Sequence, residues 1–172
     1  QLTNKNIKAM LSKKMEEALN AQINAEFWSA YLYLSMSVHF DNTGLSGFAK
    51  WFRAQAEEER DHALKFIDYV NSRGGKVSLA PIAKVTQSWK SPLAAFEDTL
   101  KHEKEVTKMI HNLVALAEAE TEKDYATISM LQWFVNEQVE EEETAQKYVD
   151  ALKFVGDEKI GIYMLNSELG SR

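Results

Sequence analysis

The stretch FAKWFRAQAEEERDHALKFIDYV (48–70) decides the fold. In it Phe48, Phe52, Gln55, Glu59, His62, Phe66 and Tyr69 recur at steps of three and four, which places them on one face of a helix. The ends of that face are aromatic, while its middle carries an amide, a carboxylate and an imidazole. Three further stretches repeat the pattern. Leu11, Met15, Leu19, Ile23, Glu26, Ala30 and Tyr33 form a stripe before it. Leu93, Phe96, Leu100, Glu103, Thr107, Ile110 and Val114 form one after it, and Ile128, Leu131, Val135, Gln138, Glu141, Ala145, Tyr148 and Leu152 form the last. Period-two alternation appears over no comparable length. The expected class is therefore all-α, four helices with one buried face each.

Punctuation between the stripes agrees. Asn42-Thr43-Gly44 reads as a tight turn, Arg73-Gly74-Gly75 as a helix end, and Ser91-Pro92 as a cap followed by a proline in the first turn. Glu122-Lys123-Asp124 marks a short third junction, and Gly156 ends the fourth helix. The segment 74–90 is too long for an ordinary turn. Extended, it spans roughly 55–60 Å, against about 43 Å for a second helix over 44–72. It can thus return the chain along the bundle, with Val77, Leu79, Ile82 and Val85 packing it down, and leave the third helix parallel to the second. The expectation is a single domain over 1–172, with a bundle at about 5–153, a crossover at 74–90 and a short fifth helix at about 157–168.

The chain has 172 residues, enough to bury a core without staples. It has no cysteine, which excludes disulfides, thiolate metal sites and a cysteine nucleophile, and which fits a cytoplasmic setting. Net charge is -6, without a basic tail, so no nucleic-acid partner is expected. No apolar run reaches the length of a membrane span, and QLTNKNIKAM (1–10) has no signal-like apolar region.

Chemistry enters where the stripes turn polar. Glu26 lies mid-way along the first, Glu59 and His62 along the second, Glu103 along the third, and Gln138 and Glu141 along the fourth. One carboxylate followed by a polar pair at three-residue spacing thus occurs twice, at intervals of 33 residues (26 to 59) and 35 residues (103 to 138). A lone Glu-x-x-His is a weak signal; four stripes broken at corresponding depth are a strong one. Folded together, Glu26, Glu59, Glu103 and Glu141 place four carboxylates in one core, without Lys or Arg in the same stretch of the stripes. Each unpaired buried ion costs several kcal/mol, and two divalent cations would neutralise the set. Protonation or water could relieve it too. Oxygen donors with one imidazole suit iron, manganese or zinc. With Glu59 bridging, Glu26 and His62 complete one site, and Glu103 and Glu141 serve the other. Two adjacent ferrous ions can deliver two electrons together. Tyr33, two turns beyond Glu26, either bonds a ligand, donates an electron or is a core tyrosine.

At these residues the chain resembles the bacterial non-haem ferritins, through NAEFWSAYLY (24–33), AEEERDH (56–62), KHEKEVT (101–107) and LQWFVNEQVEEE (131–142). The resemblance implies a ferritin-like four-helix bundle with one long crossover and a short C-terminal helix. It implies ferroxidase activity, turning Fe(II) to Fe(III) with oxygen or peroxide at two iron ions per subunit. Gln138 would lie close by. A third iron position would use Glu58, Glu137, Glu140 and Glu141, although these also belong to acidic runs that read as solvated faces. It implies a homo-oligomer, a 24-subunit cage that stores ferric mineral. The aromatics Phe27, Trp28 and Trp51, which do not all fit one stripe, are expected at subunit contacts.

Two departures narrow the resemblance. Bacterioferritins carry a haem-ligating Met directly after the bridging Glu, and this chain has Arg60; they also have a second Glu-x-x-His where this chain has Gln138 and Glu141. No haem is expected. Animal ferritins place two acidic channel residues where this chain has Ile128 and Leu131, which puts that route for iron in doubt. A rubrerythrin-like oxidase needs cysteines for its second iron site, a DNA-protecting mini-ferritin places metals between subunits, and a purely structural bundle gives no reason for buried carboxylates.

Overall fold

The computed structural model describes residues 11–172, so the expected start of the bundle near residue 5 lies outside the described residues. Within them the chain forms α1 (Lys13–Asn42), α2 (Ser46–Ser72), α3 (Pro92–Ala119), α4 (Tyr125–Val155) and α5 (Lys159–Leu169), with no strand among the described residues. Local chemistry sets three of the starts. Ser12 Oγ accepts from Met15 N at 3.1 Å, Ser91 Oγ from Ala94 N at 3.1 Å with Pro92 opening the helix, and Asp124 Oδ1 from Thr127 N at 3.1 Å. Gly44 at φ +80° and Gly156 at φ +57° supply the left-handed backbone at two junctions.

Short turns make antiparallel pairs of α1 with α2 and of α3 with α4. Residues 73–91 then run beside α1 in the same direction. Asn20 Nδ2 donates to Lys76 O at 2.8 Å, Asn24 Nδ2 to Ala80 O at 3.2 Å, Trp28 Nε1 to Lys84 O at 3.4 Å, and Ser35 Oγ to Thr86 O at 2.6 Å. The chain arrives back at the far end, and α3 descends antiparallel to α1: Thr99 meets Met36, and His102 meets Ser29. One part of the expectation is corrected. Of the four apolar crossover residues, only Val77 and Val85 pack inward, while Leu79 and Ile82 are 68% and 46% exposed. The crossover is held mainly by polar side chains of α1 gripping its backbone.

The core is divided. Met15, Leu19, Ile23, Phe66, Ile110 and Phe134 anchor one apolar cluster, and Met36, Phe40, Phe48, Phe52, Phe96 and Leu152 the other. A level of buried polar groups separates them. Of the aromatics expected at subunit contacts, Trp51 needs correction. Trp51 is buried at 5% exposure among Phe52, Phe96 and Tyr148; Trp28 and Phe27 are half-buried against the two clusters. A helix of this length has room for indole and phenyl rings beside its central stripe, which the stripe pattern alone does not show.

α5 seats itself on the start of α2. Leu45 offers α2 no side-chain cap, and Asn166 Oδ1 accepts from both Gly47 N (2.8 Å) and Phe48 N (3.1 Å) instead. Contact is close enough that a Cβ on Gly47 would stand 1.7 Å from the Asn166 carbonyl oxygen. We expect Gly47→Ala to dislodge α5 at a cost of about 1–3 kcal/mol. Limited proteolysis should then cut faster within residues 157–172, and unchanged cleavage would refute the close fit.

Candidate metal centre

Every helix of the bundle brings a polar side chain to the dividing level. Glu26 of α1, Glu59 and His62 of α2, Glu103 of α3, and Gln138 and Glu141 of α4 are all buried. Donor atoms of Glu26, Glu59 and His62 lie within 4.8 Å of one another, and so do those of Glu59, Glu103 and Glu141. These are the two groups of three or more such residues that converge this closely among the described residues, and Glu59 belongs to both. Divalent ions with oxygen ligands at about 2.1 Å bring opposed donors to about 4.2 Å, so a small contraction closes each group on an ion.

The hydrogen bonds leave the interior of the set open. His62 Nδ1 faces inward, 3.2 Å from Glu59 Oε2 and 4.0 Å from Glu26 Oε2, while its Nε2 looks outward at Glu137 Oε1, 4.0 Å away. Buried Glu26 Oε2 and Glu59 Oε1 have no protein partner. Two orphaned carboxylate oxygens in an otherwise well-bonded core cost free energy in the protein alone. Around them the set is braced from outside. Gln22 Nε2 donates to Glu26 Oε1 at 3.0 Å, Gln55 Nε2 to Glu141 Oε2 at 2.6 Å, and Gln138 Nε2 to Glu103 Oε2 at 3.0 Å. Tyr33 OH, carried from α1, donates to Glu103 Oε1. Fixing outer oxygens while leaving inner ones bare is the arrangement of a preorganised cation site.

Electrostatics point the same way. Burial, then the charges of Glu103 and Glu26, push the Glu59 carboxyl well above its ordinary range. Burial raises Glu103 to about 7 against the hydrogen bonds from Tyr33 and Gln138, which favour its ionised form. Burial and Glu103 raise Glu141 to about 8. Tyr33, buried beside three carboxylates, is held as a neutral donor far above neutrality. Without cations the protein thus holds protons here that ordinary glutamates would release.

The remaining expected residues sit outside. Glu58, Glu137 and Glu140 border a pocket of about 160 Å³ that they share with Glu141 of the inner set, yet these three do not converge as the inner groups do. Glu58 is instead paired with Arg172, whose NH2 lies 2.8 Å from Glu58 Oε1. Arg60, directly after Glu59, is exposed beside Glu57. Leu131 is fully buried and Ile128 packs on the core.

Sequence reasoning missed three partners. Gln22 stands four residues before Glu26, the glutamate it braces, and that spacing was a usable signal; Gln55 was visible on its stripe, but its partner Glu141 lies on another helix, which spacing does not show. Arg172 gave none, because it lies on no stripe.

Residues 16–155 match the family described as Ferritin-like domain. The bacterial non-heme ferritin of Bacteroides fragilis (strain 638R) is 47% identical over 163 residues, 95% of this chain and 100% of the relative. That of Staphylococcus haemolyticus (strain JCSC1435) is 42% identical over 95% of this chain and 97% of its own. A crystal structure described as a novel open pore ferritin, from the hyperthermophilic archaeon Archaeoglobus fulgidus, superposes with a TM-score of 0.92 at 51% identity, covering 94% of this chain and 99% of that one.

Proposed function

This chain belongs to the ferritin family of iron-storage proteins, and from that premise we propose that it is a ferroxidase subunit that oxidises Fe(II) at a paired centre inside its own bundle. The observation that carries the proposal is the sharing of Glu59 between two converging donor groups, with bare oxygens turned inward.

Iron is the substrate. Glu26, Glu59 and His62 would receive one ferrous ion and Glu59, Glu103 and Glu141 the other. Holding both ions on one carboxylate lets each give up one electron to a single acceptor, so that oxygen and two protons become hydrogen peroxide. The protons that the raised carboxyls hold leave as the cations enter, because cation and proton compete for the same oxygens. Gln22, Gln55 and Gln138 keep the carboxylates turned toward the ions. Tyr33 orients Glu103, and its hydroxyl proton faces a carboxylate ready to accept it, which suits a tyrosine supplying an extra electron. The outer acids Glu58, Glu137 and Glu140, with Glu141 shared from the inner set, would hold a third ion less tightly, because they stand further apart.

The whole chain would work as a single ferritin-like unit, in the cytoplasm, in a closed homo-oligomer of 24 copies around stored ferric mineral. Supporting the oligomer, Phe154 (92% exposed), Ile160, Tyr163 and Met164 crowd the α5 end, and Tyr31, Leu34 and Val38 line the outer face of α1. So much exposed apolar surface fits contact with further copies. No helix among the described residues is long and apolar enough to cross a membrane.

Crystals soaked anaerobically in Fe(II) test the reading. Anomalous scattering should place two irons per subunit, one on each side of Glu59, within a particle of several hundred kilodaltons. Iron found elsewhere, or a stable monomer, would overturn the corresponding part.

A further inference from the structure

The stripes contain no cation, yet the folded molecule brings one to the edge of the centre. Arg172, beyond α5, reaches back across α2. Its NH1 donates to Gln55 Oε1 at 3.0 Å and to Trp51 O at 3.2 Å, its NH2 pairs with Glu58 at 2.8 Å, and its guanidinium lies 4.7 Å from the centre of the Trp51 ring. Three kinds of contact (fork hydrogen bonds, an ion pair and an aromatic face) hold one planar group, a use for which lysine is a poor substitute. The same Gln55 donates its other end to Glu141. Arg172 therefore both dictates which way the Gln55 amide points and puts a positive charge beside Glu58, at the pocket that adjoins Glu141.

We propose that Arg172 is a latch on this outer pocket: it is the resident cation there, and a metal ion entering or leaving by way of Glu58 must first displace it. The proposal rests on the paired-centre reading above. A guanidinium and a divalent ion compete directly for Glu58, and their mutual repulsion at contact range is large even with solvent nearby. With only 26% of its side chain exposed, Arg172 is screened less than a free surface charge. Its position depends on the seat of α5 on Gly47, so the segment after α5 is mechanically tied to the pocket beside Glu141. Loss of Arg172 should tighten the outer position and leave the Glu26–Glu59–His62 site nearly unchanged, since none of those three touches it; the Glu59–Glu103–Glu141 site feels the loss only through the Gln55 brace on Glu141.

The test is calorimetric titration of metal-free protein with Zn(II), a redox-inert probe, comparing the parent with Arg172→Ala and Arg172→Lys. The parent should take two ions tightly and a third weakly per subunit. In Arg172→Ala the third step should tighten at least about tenfold, with Arg172→Lys between the two. A crystal of the fully loaded parent should show the guanidinium withdrawn from Glu58. A third step that is equal or weaker in Arg172→Ala, or a guanidinium still paired with Glu58 beside a bound third ion, would overturn the latch while leaving the paired centre standing. Failure of the parent to bind the first two ions would overturn the paired centre and the latch with it. Should Arg172→Ala fail to fold, Arg172→Lys and the loaded crystal decide the question.

Discussion

Glu59→Ala is expected to abolish the fast phase of aerobic Fe(II) oxidation, slowing the initial rate by at least about 100-fold, while making the metal-free protein more stable. The loss follows from position. Glu59 is common to both donor groups, so its removal leaves each with two ligands and severs the link between them. Removing even an outer partner of a metal ligand typically costs 10–100-fold, and a shared ligand should cost at least the upper figure. The gain in stability follows from burial. Glu59 is 2% exposed and has an oxygen without a partner, among three other carboxyls. Relief of that repulsion and desolvation, worth several kcal/mol, competes with the void left by truncation. Glu59→Gln, which keeps the volume, should show the gain more cleanly. Stopped-flow oxidation and denaturant melts in chelator read the two effects separately. Equal initial rates for variant and parent would defeat the assignment of Glu59 as the bridge.

Metal-free protein should lose stability as pH rises from about 4.5 to about 8, and divalent metal should reverse that trend. The sign follows from proton counting. Glu103 and Glu141 hold protons up to about 7 and about 8 in the folded chain, against 4.5 for an ordinary glutamate. Through this window the native state binds more protons than the unfolded one, so its advantage is complete below the lower value and disappears as the upper values are passed. The decline from these groups is on the order of 8 kcal/mol. Zn(II) binds the deprotonated set, so its stabilising effect should grow with pH; a site filled at 100 times its Kd adds about 2.7 kcal/mol. Melts at three pH values with chelator and with Zn(II) would show it. A chelated protein that grows steadily more stable toward pH 8 would contradict the buried carboxyl set.

Much of this was legible from sequence because the information is periodic. Helix positions follow from stripes such as Phe48 to Tyr69, and the meeting of Glu26, Glu59, Glu103 and Glu141 follows from their equal depth along four such stripes. Turn residues fixed the junctions for reasons of backbone geometry, as at Ser91-Pro92 and Gly156. What escaped was aperiodic. Leu79 and Ile82 look like packing residues, but an extended segment is fixed here by Asn20, Asn24 and Ser35 of a neighbouring helix, and no local pattern announces bonds to another segment's backbone. Trp51 was misplaced because it lies one residue to the side of its stripe, where only the packed position of α4 shows that it is covered. Arg172 escaped because its partners, Gln55 and Glu58, are more than a hundred residues away in the chain.

The polar level that divides the core also prevents the rods from sliding. A helix shifted lengthwise by one turn, about 5.4 Å, would still present greasy side chains to greasy neighbours along most of its length. It would, however, drive a carboxylate among phenyl rings and strip its amide brace, at a cost of several kcal/mol. Acidic residues that weaken the bundle thermodynamically thereby act as its vernier, selecting one alignment of four nearly featureless cylinders before any iron arrives.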